Sequence, residues 1–477
     1  MAMYNGEYGS VQGFDDLNRF VKLGNRSLLI KGKSGTGKVT LALELARNHA
    51  DKFEIMFISR KMTEYDLCNR FPWVKNLIKP ENILSTSSTE SVFDDASFTV
   101  TNVISSITNR VTKVENPFIS LEEHLTPFVI LDVWDSIAKV DVPTRTRIEK
   151  LLISLTDKHV GFLVFLTENM ESSTVEYLVD GVVSLSQNFY KSYRLREMDV
   201  EKLRGTHISR AKVSFTLQGG RFRIFSKLSH RIPESPKKFS TIEHTEAYYS
   251  TGNPDLDEKL NGGFRRGSII SIEMDDDVDR FVYVPLLAPL TLNFIVQGNA
   301  AFVIPAADQD ASAVTRYLSP YTDDETITRF LKIYGDTSDD ELTSPPYIIQ
   351  RAKKSFEEAY NIWIGTYGDL RRKTGGCVLT MDYSFVELEY QDEIQSILKS
   401  IIKMSSKIRS FKDLLVMVSR PNYKSLEVIK KISDLHFRIF EYNGSTMIAA
   451  IKPQLFLYNI QTDYRQGFPF AALQEST

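Results

Sequence analysis

The sequence predicts an α/β protein made of two similar units, each with a mostly parallel sheet covered by helices. Continuous apolar runs, which are typical of strands buried on both faces, alternate with helix-like segments in both halves of the chain. The same order of turn residues, glycines and apolar strand recurs on either side of a polar, proline-bearing stretch. We therefore predict a first domain at 1–227, a linker at 228–248, and a second domain at 249–477 that ends in an aromatic-rich C-terminal tail.

The predicted strands are short apolar runs bounded by turn residues. In the first half they lie at 27–30, 55–58, 128–131 and 162–166, and in the second at 269–272, 301–304, 378–381 and 414–418. The longest uncharged stretch, 281–307, contains Pro285 and Pro289, so it predicts a buried helix followed by a strand rather than a membrane span.

Composition narrows the class of protein. The chain has 477 residues, 42% hydrophobic and 25% charged, with a net charge of −3, as expected for a globular protein with no overall attraction to nucleic acid or membrane. The two cysteines, Cys68 and Cys377, exclude a disulfide framework and a cysteine-rich zinc site. Together with the polar residues 1–10, which do not resemble a signal peptide, they predict a cytoplasmic protein.

A glycine-rich loop at 32–39, Gly-Lys-Ser-Gly-Thr-Gly-Lys-Val, is the strongest motif in the chain. It follows the strand at 27–30 and precedes a helical segment at 40–46, and this context distinguishes a phosphate-binding loop from a chance glycine turn. The glycines let backbone N–H groups converge on phosphate oxygens, and the lysine adds a positive charge. The predicted ATP-binding residues are Gly32, Ser34, Gly35, Thr36, Gly37, Lys38, Val39 and Thr40.

Val39 occupies the place where this loop normally has serine or threonine. Valine has nearly the shape of threonine but lacks the oxygen that binds Mg²⁺. The hydroxyl of Thr40 is not expected to substitute, because one step along a helix turns the side chain by about 100°. We predict that nucleotide binding survives and that Mg²⁺ is held weakly or indirectly.

With these residues in view, both halves, roughly 8–227 and 249–455, resemble the RecA-superfamily ATPases of the KaiC type. The resemblance is carried by Gly13-Phe14-Asp15 before the phosphate loop, by Ile130-Leu131-Asp132 at a strand end, by the run 175–183, and by Lys202-Leu203-Arg204-Gly205-Thr206 before a hairpin-like segment. Within the superfamily, Phe71-Pro72-Trp73 and 130–137 resemble archaeal gas-vesicle-regulator (GvpD-like) proteins most. The resemblance implies two tandem RecA/KaiC-like P-loop domains, with ATP and Mg²⁺ as ligands.

The resemblance also implies three catalytic residues. Asp132 corresponds to the strand-end acid that orients Mg²⁺-bound water, and it is the predicted metal residue; the alternative is a helix-capping aspartate. Lys202 and Arg204 correspond to cations that reach the γ-phosphate on a neighbouring subunit, which would require a homo-oligomer; the alternative is a solvated pair of charges.

Two positions depart from the family pattern. The family has one or two glutamates after the second strand as general base, whereas this chain has Ser59-Arg60-Lys61. In the second half the corresponding loop, 273–281, lacks both glycines and the lysine and carries five carboxylates, so we predict a degenerate domain that does not bind nucleotide in the usual way. Asp382 keeps the strand-end acid of that half.

Three functions remain open at this stage. The first is an ATP-binding regulatory protein with weak or absent hydrolysis, whose nucleotide state controls oligomer or protein-partner contacts. The second is an active ATPase that uses Asp132, Lys38 and a neighbour's Arg204. The third is a recombinase-related DNA-binding protein, which the basic clusters permit but which we do not favour over solvated surface charges.

Overall fold

The fold is described from a computed structural model of the chain. The structure describes residues 12–85, 105, 125–132, 134–137, 141–156, 160–171, 174–226, 228, 233–279, 282, 284–306, 311–336, 345–351, 355–464 and 466–476. By its contacts the chain divides into two compact units, one within 1–225 and the other spanning 226–475.

The first unit is built on one sheet with the strand order β3-β2-β4-β5-β1-β6-β7-β8-β9. Its strands are β1 Arg26–Gly32, β2 Phe53–Ser59, β3 Ile83–Ser85, β4 Thr126–Asp132, β5 Phe162–Thr167, β6 Gly181–Tyr190, β7 Tyr193–Leu203, β8 Lys212–Thr216 and β9 Arg223–Ile224. Its helices are α1 Gln12–Lys22, α2 Lys38–Asn48, α3 Glu64–Arg70, α4 Trp134–Ile137, α5 Val142–Ser154 and α6 Thr174–Leu178. Strands β1 to β6 pair in parallel, and β6 to β9 continue as an antiparallel meander.

The second unit repeats this plan. A small ribbon of β10 Tyr248–Tyr249 and β11 Phe264–Arg265 precedes the main strands, which are β12 Ile269–Met274, β13 Ala300–Ile304, β14 Leu331–Tyr334, β15 Ile348–Ile349, β16 Cys377–Asp382, β17 Leu414–Ser419, β18 Leu435–Tyr442, β19 Ser445–Lys452, β20 Leu457–Asp463 and β21 Phe470–Glu475. The main sheet has the order β15-β14-β13-β16-β17-β12-β18-β19-β20-β21.

Helices of the second unit cover that sheet. They are α7 Pro254–Lys259, α8 Val284–Val296, α9 Ala311–Leu318, α10 Asp324–Phe330, α11 Phe356–Lys373, α12 Tyr383–Glu389, α13 Ile394–Phe411 and α14 Lys424–Ile432. The predicted fold class is therefore confirmed: two mostly parallel α/β sheets stand in tandem along the chain.

Continuous apolar sequence explains why these strands lie at the centre of the sheets. All six residues of β5 are buried, as are the last six of β1 and of β4, because helices cover both faces. The two faces are packed separately, one around Leu28 and Phe57 and the other around Leu29 and Ile58. Each predicted strand falls within an observed strand, so the apolar runs were sufficient to locate these strands.

Within the uncharged stretch at 281–307, the described residues form helix α8 followed by β13, as predicted. In the part of the chain that the structure describes, no helix is both long enough and apolar enough to cross a membrane. Cys68 and Cys377 are both free and buried.

Two segments outside the main strands pack within the second unit. In the predicted linker, of which 229–232 lie outside the described residues, Phe239 is buried with Phe468 and Phe470. Beyond 455, β20 and β21 extend the sheet, so the aromatic-rich tail packs on its own unit. The domain boundaries at 227 and 249 stay a prediction.

Candidate nucleotide site in the first unit

The glycine-rich loop lies between β1 and α2, at the carboxyl edge of the sheet. Gly35 and Gly37 have φ angles of 79° and 105°, in the left-handed region that favours glycine. Gly32 has no room for a side chain, because a Cβ atom there would lie 2.5 Å from Thr36 Oγ1 and 2.9 Å from the Leu185 carbonyl oxygen. The Thr36 hydroxyl donates to the Lys33 carbonyl over 2.8 Å and closes the turn. Sequence thus specifies this loop locally, and the sheet gives it a rigid base.

Lys38 is buried and points back into the loop. Its Nζ donates to the carbonyl oxygens of Gly32 at 2.6 Å and of Lys33 at 3.1 Å. Burial lowers the pKa of Lys38, and the negative charges of Glu168 and Asp132 offset part of this effect. The ammonium group is bonded to neutral carbonyls, so an incoming phosphate would gain a charge-assisted bond without breaking an ion pair.

The start of helix α2 is open to an anion. Gly37 caps the helix without a side-chain hydrogen bond, whereas Thr63, Asp141 and Ser355 each cap their helix by accepting a bond from its first turn. The first N–H groups of α2 therefore keep their donors available, at the positive end of the helix dipole. This is the arrangement that binds phosphate in loops of this kind.

Val39 does not offer a metal ligand. It is half-buried against the hydrophobic core of the unit, and its side chain contains no oxygen. Thr40 is buried one step along the helix. Among the described residues, no group of three or more acidic, histidine or cysteine side chains could hold a metal ion. The residues present do not fit direct Mg²⁺ coordination, and we derive no chemical step through the metal.

Asp132 and Ser59 end neighbouring strands beside the loop. They are opposite one another in the β2–β4 register, and the Ser59 hydroxyl donates to Asp132 Oδ2 over 2.7 Å. Asp132 is only 2% exposed. Burial raises its pKa, although the bond from Ser59 and the charges of Lys38 and Lys61 act in the opposite direction. The strand-end acid therefore lies where the resemblance implied, with Oδ2 already engaged by a hydroxyl.

The next strand end carries a carboxylate that sequence analysis missed. Glu168 follows β5, and its Oε1 lies 3.2 Å from Lys61 Nζ, the cation that stands where a general base was expected. Both side chains are partly exposed, so the pair contributes little to stability. The strand-end rule that identified Asp132 would also have identified Glu168, because each follows an apolar strand at the same edge.

Asp135 fixes the backbone at this edge. Its Oδ2 accepts from Thr167 Oγ1 at 2.5 Å and from the Glu168 N–H at 2.9 Å, while Arg145 binds Oδ1 at 3.1 Å. Burial alone would raise the pKa of Asp135, but these donors outweigh it and lower the pKa. Asp135 is thus a structural carboxylate that positions Glu168, in contrast to the neighbouring Asp132.

Arg196 approaches the loop from β7 and was also missed. Its Nη1 donates to the Gly35 carbonyl over 2.9 Å, beside a 3.0 Å bond from Gln187 Nε2. Arg196 is only 7% exposed, and its Nε has no hydrogen-bond partner in the described structure. Burial, and then the charge of Arg194, lower its pKa, and no carboxylate among the described residues compensates it. A buried cation beside a phosphate loop without a carboxylate partner is a candidate ligand for an anion.

Lys202 and Arg204 lie at the opposite edge of the sheet. Because β7 runs antiparallel to β6, Leu203 pairs with Gly181 at the start of β6, and Arg204 contacts Asp180 and the Tyr177 carbonyl. The loop is at the other end of β1, whose seven residues span about 20 Å. These two cations cannot reach the loop of their own chain, so any role in phosphate chemistry would be in trans.

Among its described residues, the second unit has no comparable loop. The turn after β12 carries Asp275, Asp276, Asp277 and Asp279, where carboxylates would repel a polyphosphate. Asp382 is buried at the end of β16 and accepts the Phe385 N–H at 3.2 Å as a helix cap. This strand-end acid therefore has the structural role that was the alternative for Asp132.

The first half of the chain is similar to a known family. Residues 9–229 match the model of the KaiC ATPase family, so this part of the chain is KaiC-like. The predicted RecA/KaiC resemblance is confirmed for this part of the chain.

Similarity over the whole chain points to a second group. The protein GvpD2 of Halobacterium salinarum is 22% identical over 471 residues, covering 94% of this chain and 93% of that protein. GvpD1 of the same organism is 28% identical over 187 residues, covering 37% and 35%. The circadian clock oscillator protein KaiC of Prochlorococcus marinus is 26% identical over 279 residues, which is 55% of this chain and 52% of that protein. The predicted resemblance to GvpD-like proteins is confirmed.

Proposed function

We propose that this protein is an ATP-binding regulator with weak or absent hydrolysis, whose nucleotide state controls contacts between copies or with a protein partner. The observation that carries the proposal is a phosphate loop with Lys38 in place beside a strand end occupied by Lys61. Such a site attracts a triphosphate through two cations. It offers no carboxylate at the expected base position to activate water.

Lys61 would distinguish ATP from ADP. Lys61 is paired with Glu168 at the carboxyl edge of the sheet, the same edge that carries the phosphate loop. A γ-phosphate would compete with Glu168 for this ammonium group, because phosphate oxygens are strong acceptors of charge-assisted bonds. The 59–62 segment, which is anchored by bonds from the Lys61 and Met62 N–H groups to Ser59 Oγ, would then respond to the nucleotide state.

A slow ATPase is the second candidate, and Glu168 favours it. Burial lowers the pKa of Lys38, but the negative charges of Glu168 and Asp132 both raise it, so two carboxylates lie near the phosphate loop. The two candidates differ in turnover. The deciding experiment is calorimetry of ATP and ADP binding with and without Mg²⁺, combined with phosphate release and with the particle mass in each state. Binding without turnover and with a change of mass supports the regulator, whereas turnover that depends on Glu168 supports the enzyme.

Val39→Thr is expected to make ATP binding depend more strongly on Mg²⁺. The substitution restores an inner-shell oxygen in nearly the same volume, so the fold should be unaffected. We expect ATP affinity in Mg²⁺ to rise by several-fold up to about tenfold, with little change in EDTA. Calorimetry under the two conditions measures this, and Val39→Ile serves as the control of similar shape without an oxygen. Equal increases in ATP affinity in Mg²⁺ and in EDTA would contradict the interpretation that Val39 removes a ligand of the metal.

Asp132→Asn is expected to stabilise the nucleotide-free protein at neutral pH. The folded pKa of Asp132 lies above its ordinary value of 3.8, so this group favours folding when protonated, and that contribution is lost as pH rises through the folded pKa. An amide can still accept the Ser59 bond and avoids burying a charge, for a gain of the order of 1 kcal/mol. Thermal melts from pH 4 to 8 should show the gain at neutral pH and its disappearance towards pH 4.

Asp135→Asn is the matched comparison, and the expected sign is opposite. The pKa of Asp135 is lowered by its donors, so its contribution is present at neutral pH and lost as pH falls. Loss of the ion pair with Arg145 should destabilise the fold by roughly 1–3 kcal/mol. The same sign in both variants would show that burial of Asp132 is not the controlling factor.

A further inference from the structure

The second unit carries a basic depression at the amino edge of its main sheet. It has a volume of about 550 Å³, and one wall is formed by Asp434 and Leu435 at the start of β18. Five cations from three chain segments line it: Lys259, Arg265, Arg266, Arg409 and Lys412. We call this set the basic pocket. It belongs to the half of the chain that does not carry the phosphate loop, and nothing in the proposed function uses it.

Three of the five cations have clear structural roles. Arg409 binds both oxygens of Asp434 at 3.1 Å, Arg266 lies 4.0 Å from the Tyr249 ring centre and donates to the Thr245 carbonyl, and Lys259 pairs with Glu258. Asp434 is the single carboxylate of the lining, and its Oδ2 also accepts the Ile269 N–H.

The other two cations are Arg265 and Lys412, which are exposed. Neither has an ion-pair partner among the described residues of the chain. Because these two cations are not paired within the described part of the unit, the pocket fits an anionic group from outside the unit.

The opposite edge of the same sheet presents carboxylates. In the turn after β12, Arg438 binds both oxygens of Asp275 at 2.8 Å, so that carboxylate is already compensated. The next two residues, Asp276 and Asp277, are exposed and have no ion pair within the described part of the chain. We call Asp276 and Asp277 the acidic turn. It takes the place of the phosphate loop in this unit.

We propose that the acidic turn of one copy of the chain enters the basic pocket of a second copy, as a head-to-tail contact. Within one unit the two surfaces lie at opposite ends of β12, whose six residues span about 17 Å, so they cannot pair with each other. Because the complementary charges lie at opposite edges of one unit, the acidic edge of one copy can contact the basic edge of the next copy. Such a head-to-tail contact is a heterologous interface.

The first unit also has cations at the amino edge of its sheet, but the negative charge at its carboxyl edge would have a different source. Its loop lies at the carboxyl edge, and Lys202 and Arg204 lie at the amino edge. There, a bound nucleotide would supply the anion between copies. In the second unit the anion is part of the chain, so its contact is permanent while that of the first unit depends on nucleotide. This division of roles rests on the proposed regulatory function, whereas the contact itself does not.

Charge reversal tests the contact in the full-length protein without nucleotide. Sedimentation velocity over a protein concentration series gives the self-association constant. We expect Arg265→Glu/Lys412→Glu, and separately Asp276→Lys/Asp277→Lys, each to weaken association by at least about tenfold, because like charges then face each other. An equimolar mixture of the two double variants should associate with near-parental affinity. In the mixture, one contact pairs the two unchanged surfaces and the other pairs the two reversed surfaces, and in both the charges are opposite. Raising the salt from about 0.05 to 0.5 M should weaken the parental contact.

A control variant separates this contact from general effects of charge. Lys403→Glu/Asp392→Lys reverses exposed charges outside both surfaces and should leave association unchanged. Because no nucleotide is present in this experiment, loss of the contact is distinguished from loss of nucleotide binding. A parental protein that remains monomeric up to about 100 μM, a mixture that fails to associate, or equal loss in the control variant would overturn the proposal.

Discussion

Lys38→Ala is expected to weaken ATP binding by at least about 100-fold, which corresponds to roughly 2.7 kcal/mol. Lys38 is buried and donates to two loop carbonyls, so its charge is held at a fixed point in the loop. The fold should persist, because removing a buried ammonium group whose pKa is lowered by burial also removes a desolvation cost. Calorimetric titration with ATP measures the loss directly.

Lys33→Ala is the matched control for this prediction. Lys33 lies in the same loop, but its side chain is exposed, so its removal should change ATP affinity by no more than a few-fold. Comparable losses in the two variants would mean that the loop attracts anions through general charge. The nucleotide site would then not be the one described here, and the proposed function would lose its main support.

Arg196→Met is expected to weaken ATP binding by about tenfold without lowering the melting temperature of the nucleotide-free protein. Methionine fills much of the volume of the arginine stem. Within the described part of the chain, the buried guanidinium has an unpartnered Nε and no compensating carboxylate. Removing an uncompensated buried charge is neutral or stabilising in the free protein. The loss of affinity should appear only when ATP binds. Thermal melts with and without ATP therefore distinguish an effect on binding from an effect on the stability of the free protein.

Arg194→Met removes a cation from the same strand at an exposed position, and it should alter neither ATP affinity nor stability beyond small effects. If Arg196 served only to hold the loop through Gly35, the melting temperature of the nucleotide-free variant would fall together with affinity. Gln187→Ala, which removes the second donor to the same carbonyl, would then have a similar consequence.

The strands were predictable because parallel strands that are buried on both faces require continuous apolar sequence. The runs 128–131 and 162–166 have this pattern. The phosphate loop was predictable for a related reason. Its glycines, its lysine and the first turn of α2 are contiguous, so local spacing fixes their geometry. The substitution at Val39 was equally readable, because it concerns the chemistry of one side chain.

The charges around the loop were less accessible to sequence reasoning. Glu168 is distant from Lys61 in sequence, and the two meet because β5 and β2 both flank β4 with their carboxyl ends aligned. Arg196 was one of several cations along β7 and had no motif of its own. Its burial results from the pairing of β7 with β6, which places Arg196 opposite Gln187.

Residue chemistry and local spacing were therefore enough to predict two α/β units, a phosphate loop with an altered metal position in the first, and its loss in the second. Which charges share an edge depended on strand order and direction, which are non-local properties of the folded sheet. Lys202 and Arg204 illustrate the difference. Their motif was visible in the sequence, but their separation from the loop by the length of β1 follows from the reversed direction of β7.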